Sequence, residues 1–135
     1  GLGVSAIGRI GDSYSQNARD LIGYYAALDA GRLPVARGLQ LDEDDLIRRS
    51  LINELMCHGE LDKSVFGAHH RLLFDEYFVR ERQRLAPLVA DGLVQEDARM
   101  LRVTSRGRLL LRIIAMCFDA YLGDAAQAPR YSRVI

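Results

Sequence analysis

Two cysteines, one adjacent histidine pair, a run of four acids and a glycine-rich start are the groups in this 135-residue chain whose types and spacing could do chemistry. Cys57 and Cys117 lie 60 positions apart in apolar helical contexts, with no second ligand type at metal-binding spacing, and read as buried, reduced thiols. His69 and His70 point in different directions on a helix, so they do not share a metal and read as solvated or partner-facing. The acids Asp42, Glu43, Asp44 and Asp45 sit where a helix begins, and its unpaired amides and dipole favour negative charge there. The opening GLGVSAIGRIG lacks both the GxxxxGK[ST] order and the GxGxxG spacing of phosphate-cradling loops. No nucleophile stands beside a base, so the residues alone describe no self-contained enzyme.

Composition narrows the class further. The 18 basic and 18 acidic residues cancel, leaving no global field to draw the chain to nucleic acid or an acidic membrane surface. A hydrophobic content of 49% over this length supports one sizeable core. No apolar run is long enough to span a bilayer and no signal segment opens the chain, so it reads as cytoplasmic, with no membrane partner. The start within an apolar strand, without a methionine, reads as a piece of something longer.

The elements that must position these groups follow in order. Val4 to Ile10 reads as a short buried strand, and the polar DSYSQN stretch leads to Ser15 or Asn17 as the cap of a helix over Ala18 to Ala30. Leu21, Ile22, Tyr25 and Leu28 form that helix's apolar stripe, and Gly31 closes it. RLPVARGLQL alternates as an edge strand behind Pro34, available as a third strand for a later hairpin. Asp42 heads a helix with Ile47, Leu51, Leu55 and Met56 inside and Arg48, Arg49, Asn53 and Glu54 outside, ending at Gly59. Leu61 to His70 reads as a connector. A long helix from Phe74 is expected to break just before Pro87 and to end at Gly92.

Leu93–Val94 and Met100–Val103 then flank an acidic turn, a β-hairpin too small to stand alone. Thr104 caps a last helix, whose stripe of Leu110, Ile113, Ile114, Cys117, Phe118 and Tyr121 reads as the central core helix. The predicted fold is mainly α with a small antiparallel β-sheet, a winged-helix-like helical domain. A winged-helix DNA binder would need cations on the helix before the wing. There, Arg80, Arg82 and Arg84 face Asp75, Glu76, Glu81 and Asp91, so that helix is net acidic, and the turn adds Glu96 and Asp97. The remaining basic cluster is Arg102, Arg106, Arg108 and Arg112. A DNA-binding or protein-interaction module is therefore the second reading, and no nucleic-acid partner is expected.

Longer motifs go further. GLGVSAIGRIGDSYSQN before a Tyr-Tyr helix, then RG-LQL-DD-IRR, LAPL-DGLV, VTSRGRLLLR, MCFD-YL and the terminal SRVI resemble the C-terminal part of bacterial oxygen-independent coproporphyrinogen III oxidase, a radical S-adenosylmethionine family. The resemblance implies oxidative decarboxylation of two propionates of coproporphyrinogen III to vinyls, giving protoporphyrinogen IX in haem biosynthesis. It implies S-adenosylmethionine and a reduced [4Fe–4S] cluster that cleaves it to methionine and a 5′-deoxyadenosyl radical. The family's CxxxCxC motif is absent, so no cofactor is expected on this piece and it should be inactive alone. Residues 1–17 would be the last strand and loop of the radical barrel, 18–122 a helical domain with its hairpin at about 93–103, and 123–135 a tail. By the same resemblance Ile7, with Ala6 beside it, would pack against the adenine of S-adenosylmethionine, and Asp12, Tyr14, Gln16 and Asn17 would border the substrate cavity. Arg37, Arg48, Arg49 and the Arg106 to Arg112 cluster are the cations available to propionates or to the barrel, which is the expected partner in cis. An apolar strand edge without that barrel is a route to self-association.

Overall fold

The computed structural model describes residues 1–122; the stretch 123–135, read above as a tail, lies outside the described residues. The chain divides into two compact units, Gly1–Leu46 and Ile47 onward, so the division falls inside one helix.

In the first unit, β1 (Ile7–Ile10) and β2 (Ser13–Asn17) form an antiparallel hairpin, and β3 (Val35–Gln40) pairs with the other edge of β2. Gly11 turns that hairpin with φ +57°, a left-handed backbone that glycine adopts without Cβ strain. β2 is the middle strand, bonded to β1 and β3 alike. Helix α1 (Leu21–Asp29) is capped by Asp20, whose Oδ1 accepts from the Gly23 amide at 2.7 Å. Ser15 and Asn17 are thus not caps; both lie in β2, where their backbone groups are used by neighbouring strands. Asn17 is buried and its amide donates to the carbonyls of Gly1 and Gly3 at 3.1 and 2.9 Å, tying down the chain start.

Neither the strand nor the α1 stripe is buried as expected. Ile7 and Ile10 are 66% and 84% exposed, and Leu21, Ile22, Tyr25 and Leu28 are exposed as well. A unit this short has too little chain to cover both a sheet and a helix.

The second unit encloses the core. Helix α2 (Glu43–His58) opens with a reciprocal cap: the Asp45 amide donates to the Asp42 carboxylate at 2.8 Å, and the Asp42 amide to the Asp45 carboxylate at 3.2 Å. Ile47, Leu51 and Leu55 are buried as their spacing predicts, but Met56 is exposed, and so is Cys57, two positions and thus about 200° round the helix from Leu55. Both cysteines are free thiols, and burial pushes the Cys117 thiol up.

After α2 the presumed connector is ordered as β4 (Glu60–Asp62) and α3 (Lys63–His70), with Asp62 capping α3 through the Ser64 and Val65 amides. The hairpin is β5 (Val94–Glu96) and β6 (Met100–Val103), and its third strand is β4, in the order β4-β6-β5. The strand at Val35–Gln40 does not join it. At three residues, β4 is too short for an alternating pattern to be recognised.

The expected long helix is two helices, α4 (Phe74–Tyr77) and α5 (Val79–Ala90), and the break falls at Phe78, where φ and ψ leave the helical region. Phe78 is fully buried, at 0% exposure, and its ring lies 4.9 Å from Phe74 and 5.6 Å from Phe118. Aromatic packing therefore sets the break, and Pro87 stays inside α5, near its end, where it forfeits one backbone bond. The final helix is also shorter than expected: a 3-10 turn (Gly107–Leu110), then α6 (Leu111–Met116) and another turn (Ala120–Leu122). Ile114 and Phe118 are buried, whereas Ile113 and Tyr121 are exposed, so this segment supplies one wall of the core rather than its centre. Thr104 does cap it, accepting from the Gly107 amide at 3.1 Å while donating to the Gly92 carbonyl at 2.9 Å.

A Cβ on Gly107 would run into the carbonyl oxygen of Leu93 and stand 3.0 Å from Val103 Cγ1. Gly107→Ala should lower the unfolding free energy by about 1–3 kcal/mol, read by urea denaturation; an unchanged midpoint would show that the wing and the segment after it are not in contact. Burial, and after it the neighbouring His69, holds His70 below its ordinary value of 6.5. The folded chain therefore disfavours the protonated ring, and this contribution is present above about pH 6.5 and lost as the pH falls through the depressed value. The urea midpoint should drop more between about pH 7.5 and about pH 5 in the parent than in His70→Gln, and equal drops would remove His70 as the cause.

Candidate functional site

The face of the first unit's sheet is set by register. Ile7 is opposite Gln16, and Gln16 opposite Arg37; Tyr14 is opposite Arg9 on one side and Leu39 on the other. Directly paired residues share a face and alternate residues along a strand return to it, so Ile7, Arg9, Tyr14, Gln16, Arg37 and Leu39 lie together. A concavity of about 510 Å³ opens on this face, lined by Ile7, Tyr14, Gln16, Arg37 and Leu39 together with Ser15 and Gly38. Its walls are mainly apolar and hold one charged side chain, which is paired: Arg37 Nε donates to Gln16 Oε1 at 2.8 Å. The other end of the Gln16 amide donates to the Ser5 carbonyl at 3.2 Å, which fixes the amide's orientation.

Three of the six residues singled out from the sequence, Ile7, Tyr14 and Gln16, therefore line one cavity. Ala6 directly precedes β1 and accepts the Asn17 amide at 3.0 Å through its carbonyl. Asp12 is exposed in the β1–β2 turn, and its carbonyl accepts from the Leu41 amide at 2.7 Å. Asn17 is turned to the chain start. Leu39 was missed as a lining residue and Arg37 was one cation among several. The signal that finds them is the period-two spacing of Arg37 and Leu39, which puts both on one side of a strand.

In the second unit five cations, Arg48, Lys63, Arg82, Arg99 and Arg102, lie against acids. Lys63 is 4% exposed, and its ammonium lies 3.0 Å from Asp75 and 3.2 Å from Glu96. Arg82 Nε meets Glu96 at 2.7 Å, Arg99 meets Asp62 at 2.7 Å, and Arg102 lies 3.5 Å from Glu60. Arg48, expected to face water, is instead drawn in: its Nη1 donates to Glu81 at 2.7 Å and to the Phe118 carbonyl at 3.1 Å, with the guanidinium 5.6 Å from the Phe78 ring centre. Arg49 carries a buried Nη1 without a hydrogen-bond partner among the described residues. In the wing's turn Asp97 accepts the Met100 and Arg99 amides, each at 2.7 Å, and these bonds hold its carboxyl below the usual range. A wider concavity of about 680 Å³ lies against α3 and α4, yet its buried cation, Lys63, is already paired. Among the described residues no three His, Cys, Asp or Glu are placed to hold a metal ion, and no helix is long and apolar enough to cross a membrane.

Residues 41–110 match the family model of the HemN C-terminal domain. All 135 residues align with the oxygen-independent coproporphyrinogen III oxidase of Escherichia coli at 45% identity, and with that of Synechocystis at 40% over 139 aligned positions. The chain spans about 30% of the length of these curated relatives. A solved structure described as coproporphyrinogen III oxidase (HemN) from Escherichia coli, a radical SAM enzyme, superposes on 90% of this chain and 28% of its own with a TM-score of 0.85 and 47% identity.

The paired cations give a direct test of the nucleic-acid reading. Fluorescence anisotropy with labelled duplex DNA should show no binding at about 50 mM salt, whereas binding that weakens steeply as salt rises would mean that the wing's arginines reach phosphates.

Proposed function

This chain belongs to the HemN C-terminal domain family, and on that premise we propose that it forms the C-terminal part of an oxygen-independent coproporphyrinogen III oxidase. The observation that carries the proposal is the end-to-end alignment of all 135 residues with such an enzyme. The reaction is oxidative decarboxylation of two propionates of coproporphyrinogen III to vinyls, giving protoporphyrinogen IX. Each propionate loses a hydrogen atom, an electron and CO₂.

The [4Fe–4S] cluster does not fit this chain's residues: Cys57 and Cys117 have neither the spacing nor the neighbours of a cluster motif, so its ligands belong to the N-terminal barrel. S-adenosylmethionine, bound in the complete enzyme, supplies the hydrogen-abstracting chemistry. The apolar, exposed Ile7 at the start of β1 suits a flat adenine, with Ala6 beside it. Tyr14 and Gln16 border the substrate. Asn17 keeps the loop carrying Ala6 in place through Gly1 and Gly3, a positioning role, and Asp12 shapes the turn at the cavity's edge.

The exposed apolar residues of the first unit, Ile10, Leu21, Ile22 and Leu28 among them, are the surface we assign to contact with the barrel in cis. Residues 1–17 supply its last strand and loop. The second unit is read as winged-helix-like, with β4 completing the wing's sheet, and its task is to cover the barrel mouth and exclude water from the radical step. A cytoplasmic location follows from that biosynthetic role.

A chimera tests this. Replacing the matching segment of the Escherichia coli enzyme by these 135 residues should preserve anaerobic conversion of coproporphyrinogen III to protoporphyrinogen IX, while deleting the segment abolishes it. A chimera that folds and loads its cluster yet forms no product contradicts the assignment.

A further inference from the structure

We propose that Arg37 is a carboxylate-binding residue that anchors one propionate of the tetrapyrrole, held in position by Gln16. The inference rests on the enzyme reading above and names the polar contact within the cavity on the sheet face.

Arg37 lies on the face of β3 that carries the cavity, opposite Gln16 in the central strand. Its Nε is used by Gln16 Oε1 at 2.8 Å, and no other side-chain hydrogen bond of Arg37 occurs among the described residues. The two terminal nitrogens thus remain as an end-on fork, and a fork of two parallel N–H donors is the geometry that a carboxylate accepts in bidentate fashion. Gln16 is itself anchored at the Ser5 carbonyl, so the guanidinium is steered by an amide that cannot freely rotate. Ile7, Tyr14 and Leu39 make the surrounding wall apolar. The site therefore suits a broad apolar molecule carrying a carboxylate on a short arm.

Two molecules in the proposed reaction carry carboxylates, and charge separates them. The cavity lining holds one cation and no acid. S-adenosylmethionine is net positive, with a sulfonium and an ammonium near its carboxylate, and is repelled by an unopposed guanidinium. Coproporphyrinogen III carries four propionates and no compensating cation. Only two propionates react, so the others are available as handles throughout the reaction, and an anchored handle holds a reacting propionate in place.

The test uses the complete enzyme carrying this chain, with coproporphyrin III, the oxidised fluorescent tetracarboxylate, as the binding probe. Arg37→Ala should weaken coproporphyrin binding about 10- to 100-fold, the range expected for losing a charge-assisted hydrogen-bonded pair, with Arg37→Lys in between. Gln16→Glu, which puts a competing carboxylate against the guanidinium, should weaken binding without removing the arginine. In turnover, Arg37→Ala should raise KM for coproporphyrinogen III by a similar factor and leave the half-saturating S-adenosylmethionine concentration unchanged. Unaltered coproporphyrin affinity in Arg37→Ala overturns the proposal, and so does a shift confined to S-adenosylmethionine. Absence of turnover in the unsubstituted protein would count against the enzyme reading alone, because the porphyrin titration still decides the role of Arg37.

Discussion

The ammonium of Lys63, the single lysine in the chain, is the charge on which the second unit is organised. A cation at 4% exposure is tolerable only when acids replace its water, and here Asp75 from α4 and Glu96 from β5 do so. Arg82 on α5 reaches the same two acids, at 3.4 Å to Asp75 and 2.7 Å to Glu96. One network thus ties the start of α3, both helices before the wing and the wing itself. A two-stranded hairpin is marginal in water, and this one is held by buried ion pairs at Glu96 and by Val94, Leu101 and Val103 in the core beneath. Around that point all four phenylalanines of the chain pack into a single cluster with Leu51, Leu55 and Ile114. The same network pairs Arg82, on the helix before the wing, with acids.

The two units stand in different relations to their own hydrophobic residues. The second closes its core within the described chain. The first leaves Ile10, Leu21, Ile22 and Leu28 on the surface, although their spacing is that of elements made for burial. A sheet and a helix that expose their apolar sides are explained by a partner that covers them, and the N-terminal barrel of the proposed enzyme is such a partner. On this account the scaffold role belongs to the second unit, and the residues nearest the chemistry belong to the first.

Much of this was legible in the sequence where one element carries its own signal. The α2 start at Asp42, its buried Ile47, Leu51 and Leu55, the wing around Asp97 and the Thr104 cap are local patterns with local physical causes. What was not legible depended on distant residues. The break at Phe78 follows from rings contributed by Phe66, Phe74 and Phe118, and no property of positions 77 to 79 announces it. Arg48 reads as a surface arginine until Glu81, 33 positions later, is placed beside it. Strand pairing was likewise ambiguous: Val35–Gln40 alternates well enough to join any sheet, and only the fold assigns it to β2. In the candidate site, motif resemblance drew attention to Ile7, Tyr14 and Gln16, whereas Arg37 stood out only once the register put it opposite Gln16.

Hydrogen–deuterium exchange on the complete enzyme carrying this chain, with and without S-adenosylmethionine and coproporphyrin III, tests the division of labour most directly. The account predicts ligand-dependent protection concentrated in residues 6–17 and 35–40, with the core of the second unit already protected in both states. Protection confined to the concavity against α3 and α4, with no change in β1, β2 or β3, would contradict it and move the site to the second unit.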